Sequence, residues 1–141
     1  MHVTLLASLA RRVALFGLLL GPSLCAVAHD LPAHDAVAAA AQHHKVLLEN
    51  DSVRVLETRI RPGERTAVHS HPWPATLYVL SWSDFVRYDP DGKVLLDSRA
   101  MATKPQPGAA LWSPAVPLHY IVNVGNAELL VIAVELKPTN K

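Results

Sequence analysis

The sequence predicts an all-β sandwich or barrel, and three observations carry that prediction. β-favouring runs of five to eight residues recur at regular spacing between residues 45 and 136. Turn chemistry separates them: Asn50-Asp51-Ser52, Pro62-Gly63, Asp91-Gly92 and Gly125-Asn126. No stretch of that region carries a long helical repeat, and half of the 141 residues are hydrophobic, enough for one domain.

The elements follow in order. Lys45 to Asn50 (KVLLEN) and Val53 to Ile60 (VRVLETRI) read as paired strands. In the second, Arg54, Leu56, Thr58 and Ile60 share one face, and Val53, Val55, Glu57 and Arg59 the other. Neither face is purely apolar, which suits a strand lining a polar-centred cavity. Arg61-Pro62-Gly63-Glu64 is the next turn, with Glu64 exposed on it. Ala67 to His71 is a short strand that runs into Pro72-Trp73-Pro74, where two prolines interrupt regular pairing. Leu77 to Trp82 resumes strand. Asp84 to Asp89 and Lys93 to Ser98 flank Pro90-Asp91-Gly92 as a β-hairpin. Lys104 to Gly108 is a proline-stiffened connector, and Leu118 to Val124 and Glu128 to Leu136 are the last strands.

Residues 1–28 read as a secretory signal peptide. Arg11 and Arg12 supply positive charge, Val13 to Leu20 the apolar core, and Ala26-Val27-Ala28 an A-x-A cleavage site. The core is shorter than the roughly 20 residues of a spanning helix. The expectation is export, to the periplasm, with no membrane span after cleavage. Arg11-Arg12 reads as ordinary charge of such a leader, the twin-arginine reading being the weaker one. Residues 29–141 hold 11 Lys+Arg against 12 Asp+Glu, a net charge of −1 that gives no ground for nucleic-acid binding. Cys25, the single cysteine, leaves with the leader, so no disulfide or thiolate chemistry is expected. Residues 29–43 read as a flexible Ala/His-rich arm, with His29, His34, His43 and His44 as a secondary metal-collecting segment. The barrel domain is placed at residues 44–138.

The chemistry concentrates in Pro62 to Ser81. His69 and His71 stand two apart on a strand, so both imidazoles point to one face, as two ligands to one metal require. A second stretch, Gly108 to Asn123, carries His119. Together these stretches resemble the two motifs of the cupin superfamily. Gly63, His69 and His71 fit the first, G-x5-H-x-H, and Gly108, Pro114, His119 and Asn123 fit the second. Two departures stand out: Ala75 occupies the position of the first motif's glutamate, and Trp82 and Val116 replace motif glycines.

The resemblance implies a small jelly-roll-like barrel in which His69, His71 and His119 bind a divalent metal ion. Imidazole ligands suit Fe, Mn, Ni, Cu or Zn without choosing among them. Glu57 is the reserve ligand, its direction depending on strand register. Without the glutamate, the site keeps the ion's full charge and favours an anionic substrate group. Tyr78, Tyr120, Trp73, Trp82 and Trp112 are candidates for the pocket or its mouth. Arg54, Arg59, Arg61 and Arg65 are candidates for attracting an anion, although a place as exposed strand-edge arginines is the stronger reading. Two functions follow: a metal-dependent dioxygenase-type enzyme acting on a small anionic or enolisable substrate, or a non-catalytic cupin binding a metal or small ligand in the cell envelope. The partner is a small molecule, and a homodimer is left open.

Overall fold

The structure is a computed structural model and describes residues 33–139. The leader, its cleavage site and His29 lie outside the described residues. The elements are α1 (Ala36–Ala39), β1 (His44–Glu49), β2 (Val53–Ile60), β3 (His69–His71), β4 (Ala75–Ser81), β5 (Phe85–Tyr88), β6 (Val94–Asp97), a 3₁₀ turn (Ser98–Ala100), β7 (Ala110–Ser113), β8 (Val116–Asn123) and β9 (Leu129–Leu136). The predicted all-β class is what forms.

The strands make two sheets, ordered β1-β2-β9-β4-β7 and β3-β8-β5-β6, with every pairing antiparallel. Face-to-face packing of two such sheets gives a jelly-roll-like barrel. β2 shows how sequence places the core: Arg54, Leu56, Thr58 and Ile60 are buried and their alternates half-buried. Two apolar clusters fill the space between the sheets. Leu56, Ala75 and Ala133 form one, and Ile60, Phe85, Ile121 and Leu129 the other. Burying Leu56 or Ile60 completely contributes about 1.5–3 kcal/mol each.

Both motifs hold the barrel as well as the site. Gly63 and Gly108 sit at φ of 77° and 90°, a left-handed backbone that costs glycine nothing. Gly63 N–H donates to the Asn123 carbonyl, tying the start of the first motif to the end of the second. The Asn123 side chain donates to the carbonyls of Ile60 and Ala127 and accepts from Ser83 Oγ and Gly125 N–H. Asn123 is therefore a structural clip, fully used within the protein.

Three differences from the sequence reading have physical causes. β7 carries no strand signal of its own in the sequence, since only four residues, Ala110–Ser113, follow the Pro-rich connector, and it forms by pairing with β4. Residues 33–43, expected as part of a flexible arm, are docked. Ser70 N–H donates to the His34 carbonyl, Asp35 pairs with Ser70 in a parallel bridge, and Asp35 caps α1 by accepting from Val37 N–H. A helix of four residues does not stand alone in water. It is held because the Asp35 carboxylate is fully buried against the Arg54 guanidinium. Glu57, the reserve ligand, lies on the outer face of β2 and accepts from Arg59 Nε instead.

Candidate metal centre

The bulged β3–β8 pairing sets His69 directly opposite His119, and His71 opposite Val116. His69 and His71 reach the same space, as their spacing predicts, with ring centroids 5.2 Å apart. His119 stands with its ring 4.4 Å from His69 and 5.9 Å from His71. A further imidazole joins them. His44, the first residue of β1, lies 4.7 Å from the His69 ring and 5.2 Å from the His71 ring. The ligand atoms of His44, His69 and His71 fall within 4.8 Å of one another. His119 adjoins that trio through His69.

Each ring is oriented by a hydrogen bond at Nδ1. The acceptors are the Ala40 carbonyl for His44, the Ala67 carbonyl for His69 and the Pro117 carbonyl for His119. For His71 the acceptor is Glu135 Oε1, at 2.8 Å. None of these oxygens carries a proton to give, so Nδ1 donates in every case and the lone pair resides on Nε2. The Nε2 of His69 is buried with no hydrogen-bond partner among the described residues. A buried polar atom without a partner is costly, and a lone pair among other lone pairs is what a cation satisfies. The residues fit a divalent ion.

Electrostatics keep the rings ready to ligate. Burial, with repulsion from His71 and His69, pushes His44 down to about 2. Burial pushes His69 down to about 4 against the opposing pull of its bond to Ala67. Burial, then the neighbouring His69, pushes His119 down to about 3. These imidazoles are neutral at pH 7, so a metal has no protons to displace from them.

Behind the histidines runs a buried chain of charge. Glu135 Oε2 accepts from Arg54 Nε at 2.6 Å, and Arg54 reaches both oxygens of Asp35 at 3.0 Å. All three side chains are fully buried. Burial raises the Glu135 carboxyl, but hydrogen bonds from His71 and Arg54 outweigh it and hold it below the usual carboxylate range. Glu135 is the direct ladder partner of Ala75. The carboxylate absent from position 75 thus stands across the ladder, where it holds His71 rather than facing the centre of the cluster.

The histidines form one part of the wall of a cavity of about 290 Å³ between the sheets. Its wall is mostly apolar, from Ile60, Leu77, Phe85, Ile121, Leu129 and Val131 among others. Of the aromatic candidates, Trp73, Trp82 and Trp112 line it, with Trp112 63% exposed at the rim, whereas Tyr78 and Tyr120 do not. None of the four candidate arginines lines it. Arg54 is spent on Asp35 and Glu135, Arg59 pairs with Glu57 and Glu128, Arg61 with Glu64, and Arg65 lies over the Tyr120 ring. The arginine in the wall is Arg87, on β5, a position the sequence reading passed over.

No protein-family model matches the sequence, and no curated protein matches it. Solved structures do resemble the fold. A cupin domain from Bordetella pertussis Tohama I superposes with a TM-score of 0.54 at 21% identity, covering 67% of this chain and 92% of that one. A conserved protein with a double-stranded β-helix domain from Klebsiella pneumoniae gives 0.46 at 23% identity over 69% and 76% of the two chains. An RmlC-like cupin family protein from Methanocaldococcus jannaschii gives 0.48 at 14% identity over 67% and 78%. The architecture is that of a cupin, a double-stranded β-helix barrel, here with a histidine cluster inside it.

Proposed function

We propose that this chain is a metal-dependent cupin that takes a small anionic or enolisable organic molecule into its cavity and turns it over by oxygenase-type chemistry. His44, His69, His71 and His119 hold one divalent ion. The observation that carries this reading is the convergence of imidazoles whose Nδ1 atoms are all engaged, leaving Nε2 of buried His69 without a partner. When bound, the ion supplies Lewis acidity and, as iron, one-electron chemistry toward dioxygen.

The rest belongs to the chain. Glu135 and the carbonyls of Ala40, Ala67 and Pro117 fix ring orientation and tautomer. The apolar walls exclude water and strengthen every charge interaction inside. No carboxylate among the described residues lines the cavity, so a substrate already ionised at neutral pH suits it best. That same observation favours the second reading, a binding protein without turnover, since no lining group stands out as a general base.

Anaerobic reconstitution with each candidate metal, followed by oxygen uptake against thiols, β-diketones and 2-oxo acids, separates the two. Metal-dependent uptake supports the enzyme, and saturable binding with no uptake supports the binding protein. Export belongs to the proposal and rests on the leader motif of residues 1–28. Amino-terminal sequencing of the native protein should begin at His29, and an intact Met1 would contradict it.

A further inference from the structure

Among the described residues, the buried side-chain atoms left without a hydrogen-bond partner are His69 Nε2, Trp82 Nε1 and Arg87 Nε. All three belong to residues lining the one cavity described above. A cation accounts for the first, which is an acceptor. It cannot account for the other two, which are donors and need an acceptor facing them.

Arg87 stands on the inward face of β5 with Phe85, and its ladder partner is Ile121. Trp82 packs edge-on against Phe85, with ring centroids 5.5 Å apart. The other described arginines all have protein partners: Arg54, Arg59, Arg61 and Arg99 pair with carboxylates and Arg65 covers Tyr120. Arg87 has none among the described residues, and burial alone pushes its pKa below the usual arginine value. Its charge reaches the histidine cluster, adding to burial in keeping His69 and His119 neutral. Arginine and cluster therefore share one compartment.

Charge balance points to the occupant. Among the described residues, the buried carboxylates of Asp35 and Glu135 are offset by buried Arg54 and by Arg87 in the cavity wall, so these groups balance before any ion enters. A divalent ion adds two positive charges that no described lining residue neutralises. The ligand must bring negative charge, yet the cavity wall is mostly apolar and the residues paired with Arg87 across its two ladders are Leu96 and Ile121. A multiply charged phosphate ester would leave most of its oxygens unpaired there. A carboxylate on an apolar skeleton would not.

We propose that Arg87, with the indole N–H of Trp82 as a second donor, receives the carboxylate of a small carboxylic acid with an otherwise apolar body. The remainder of that molecule reaches toward the histidines. This rests on the reading of the cavity as a small-molecule site beside a metal, and deepens it by assigning the anion to Arg87 rather than to the ion.

The probes are hexanoate and its neutral counterpart hexanamide, titrated calorimetrically into the protein as purified and after chelator treatment, with metal content measured on both. Wild-type protein should prefer hexanoate by about 10- to 100-fold, the range of one charge-assisted hydrogen-bonded pair. The preference should persist without metal, fall to within about threefold in Arg87→Met, and survive in weakened form in Arg87→Lys. A preference that needs the metal and ignores Arg87→Met would place the carboxylate on the ion, overturning this proposal while leaving the metal reading intact. An Arg87-dependent preference in protein that binds no metal would do the reverse. Absence of any preference in wild type overturns the proposal outright. Stability gives an independent readout: ligand-free Arg87→Met should melt at or above the wild-type temperature, because it removes a half-buried cation whose buried Nε has no partner among the described residues. A Tm lower by more than about 5 °C would show that Arg87 already serves the protein itself, and would also overturn it.

Discussion

Glu135 accepts a hydrogen bond from His71 Nδ1 at 2.8 Å while standing directly across the β4–β9 ladder from Ala75. Its negative charge therefore reaches the site through an imidazole. An ion there keeps neutral ligands, and the protein keeps a buried carboxylate stabilised from behind by Arg54, whose guanidinium Asp35 holds in turn.

Glu135→Gln should weaken metal binding by about 10- to 100-fold, since an amide offers a single oxygen to two donors and no charge. Asp35→Asn, one link further back, should cost comparable stability but much less metal affinity. Breaking this buried chain should cost about 3–5 kcal/mol in either variant. Chelator competition and urea unfolding read the two quantities separately. Equal losses of metal affinity would show that the chain acts on the site only by holding the fold.

His44 should behave as a ligand. His44→Ala is expected to lower metal affinity at least as much as His119→Ala, because the ligand atoms of His44, His69 and His71 lie within 4.8 Å of one another. Chelator competition on both variants decides it. Wild-type affinity in His44→Ala with loss in His119→Ala would return the site to the trio legible in the motifs.

How the sequence showed some of this and hid the rest follows from chain geometry. His69 and His71 were legible because the two-residue strand period is local, and His119 because its motif spacing is fixed around a tight glycine turn at Gly108. His44 was legible only as one of the metal-collecting histidines of the Ala/His-rich stretch, and its place beside His69 and His71 was hidden by distance: it enters the site only because β1 pairs with β2, putting it opposite Thr58. Arg54 and Glu135 are separated by 81 positions, and only the β2–β9 pairing brings them together. A signal did exist, a lone carboxylate on the same strand face as Leu129, Val131 and Ala133. Nothing local marks Arg87 in Phe85–Tyr88 as a cavity residue, because which face of β5 turns inward is fixed only by its pairing with β8, where Tyr88 stacks on Tyr120.

Acid should destabilise the metal-free protein. His44, His69 and His119 have folded values of about 2, 4 and 3, below the ordinary 6.5 that applies when unfolded. Below pH 6.5 the unfolded chain binds the extra protons, so stability present above that pH is lost as pH falls toward 4. The slope approaches about 1.4 kcal/mol per pH unit for each such histidine. Thermal melts of chelator-treated protein between pH 7.5 and 4.5 check this, and a flat profile would mean that the rings are accessible to protons in the folded state.

Asn123→Ala should separate fold from site. Each buried group it leaves without a partner should cost about 1–3 kcal/mol, while metal content per folded chain stays at the wild-type value. Loss of metal from folded Asn123→Ala protein would mean that the clip also positions His119, four residues earlier on β8.

The most direct test of the account is elemental analysis of wild type and His69→Ala after identical exposure to Fe, Mn, Ni, Cu and Zn salts and gel filtration. The account predicts about one divalent ion per wild-type chain and none retained by folded His69→Ala. A wild-type protein that retains no metal from any of the five, or a His69→Ala protein that retains the full amount, would contradict it.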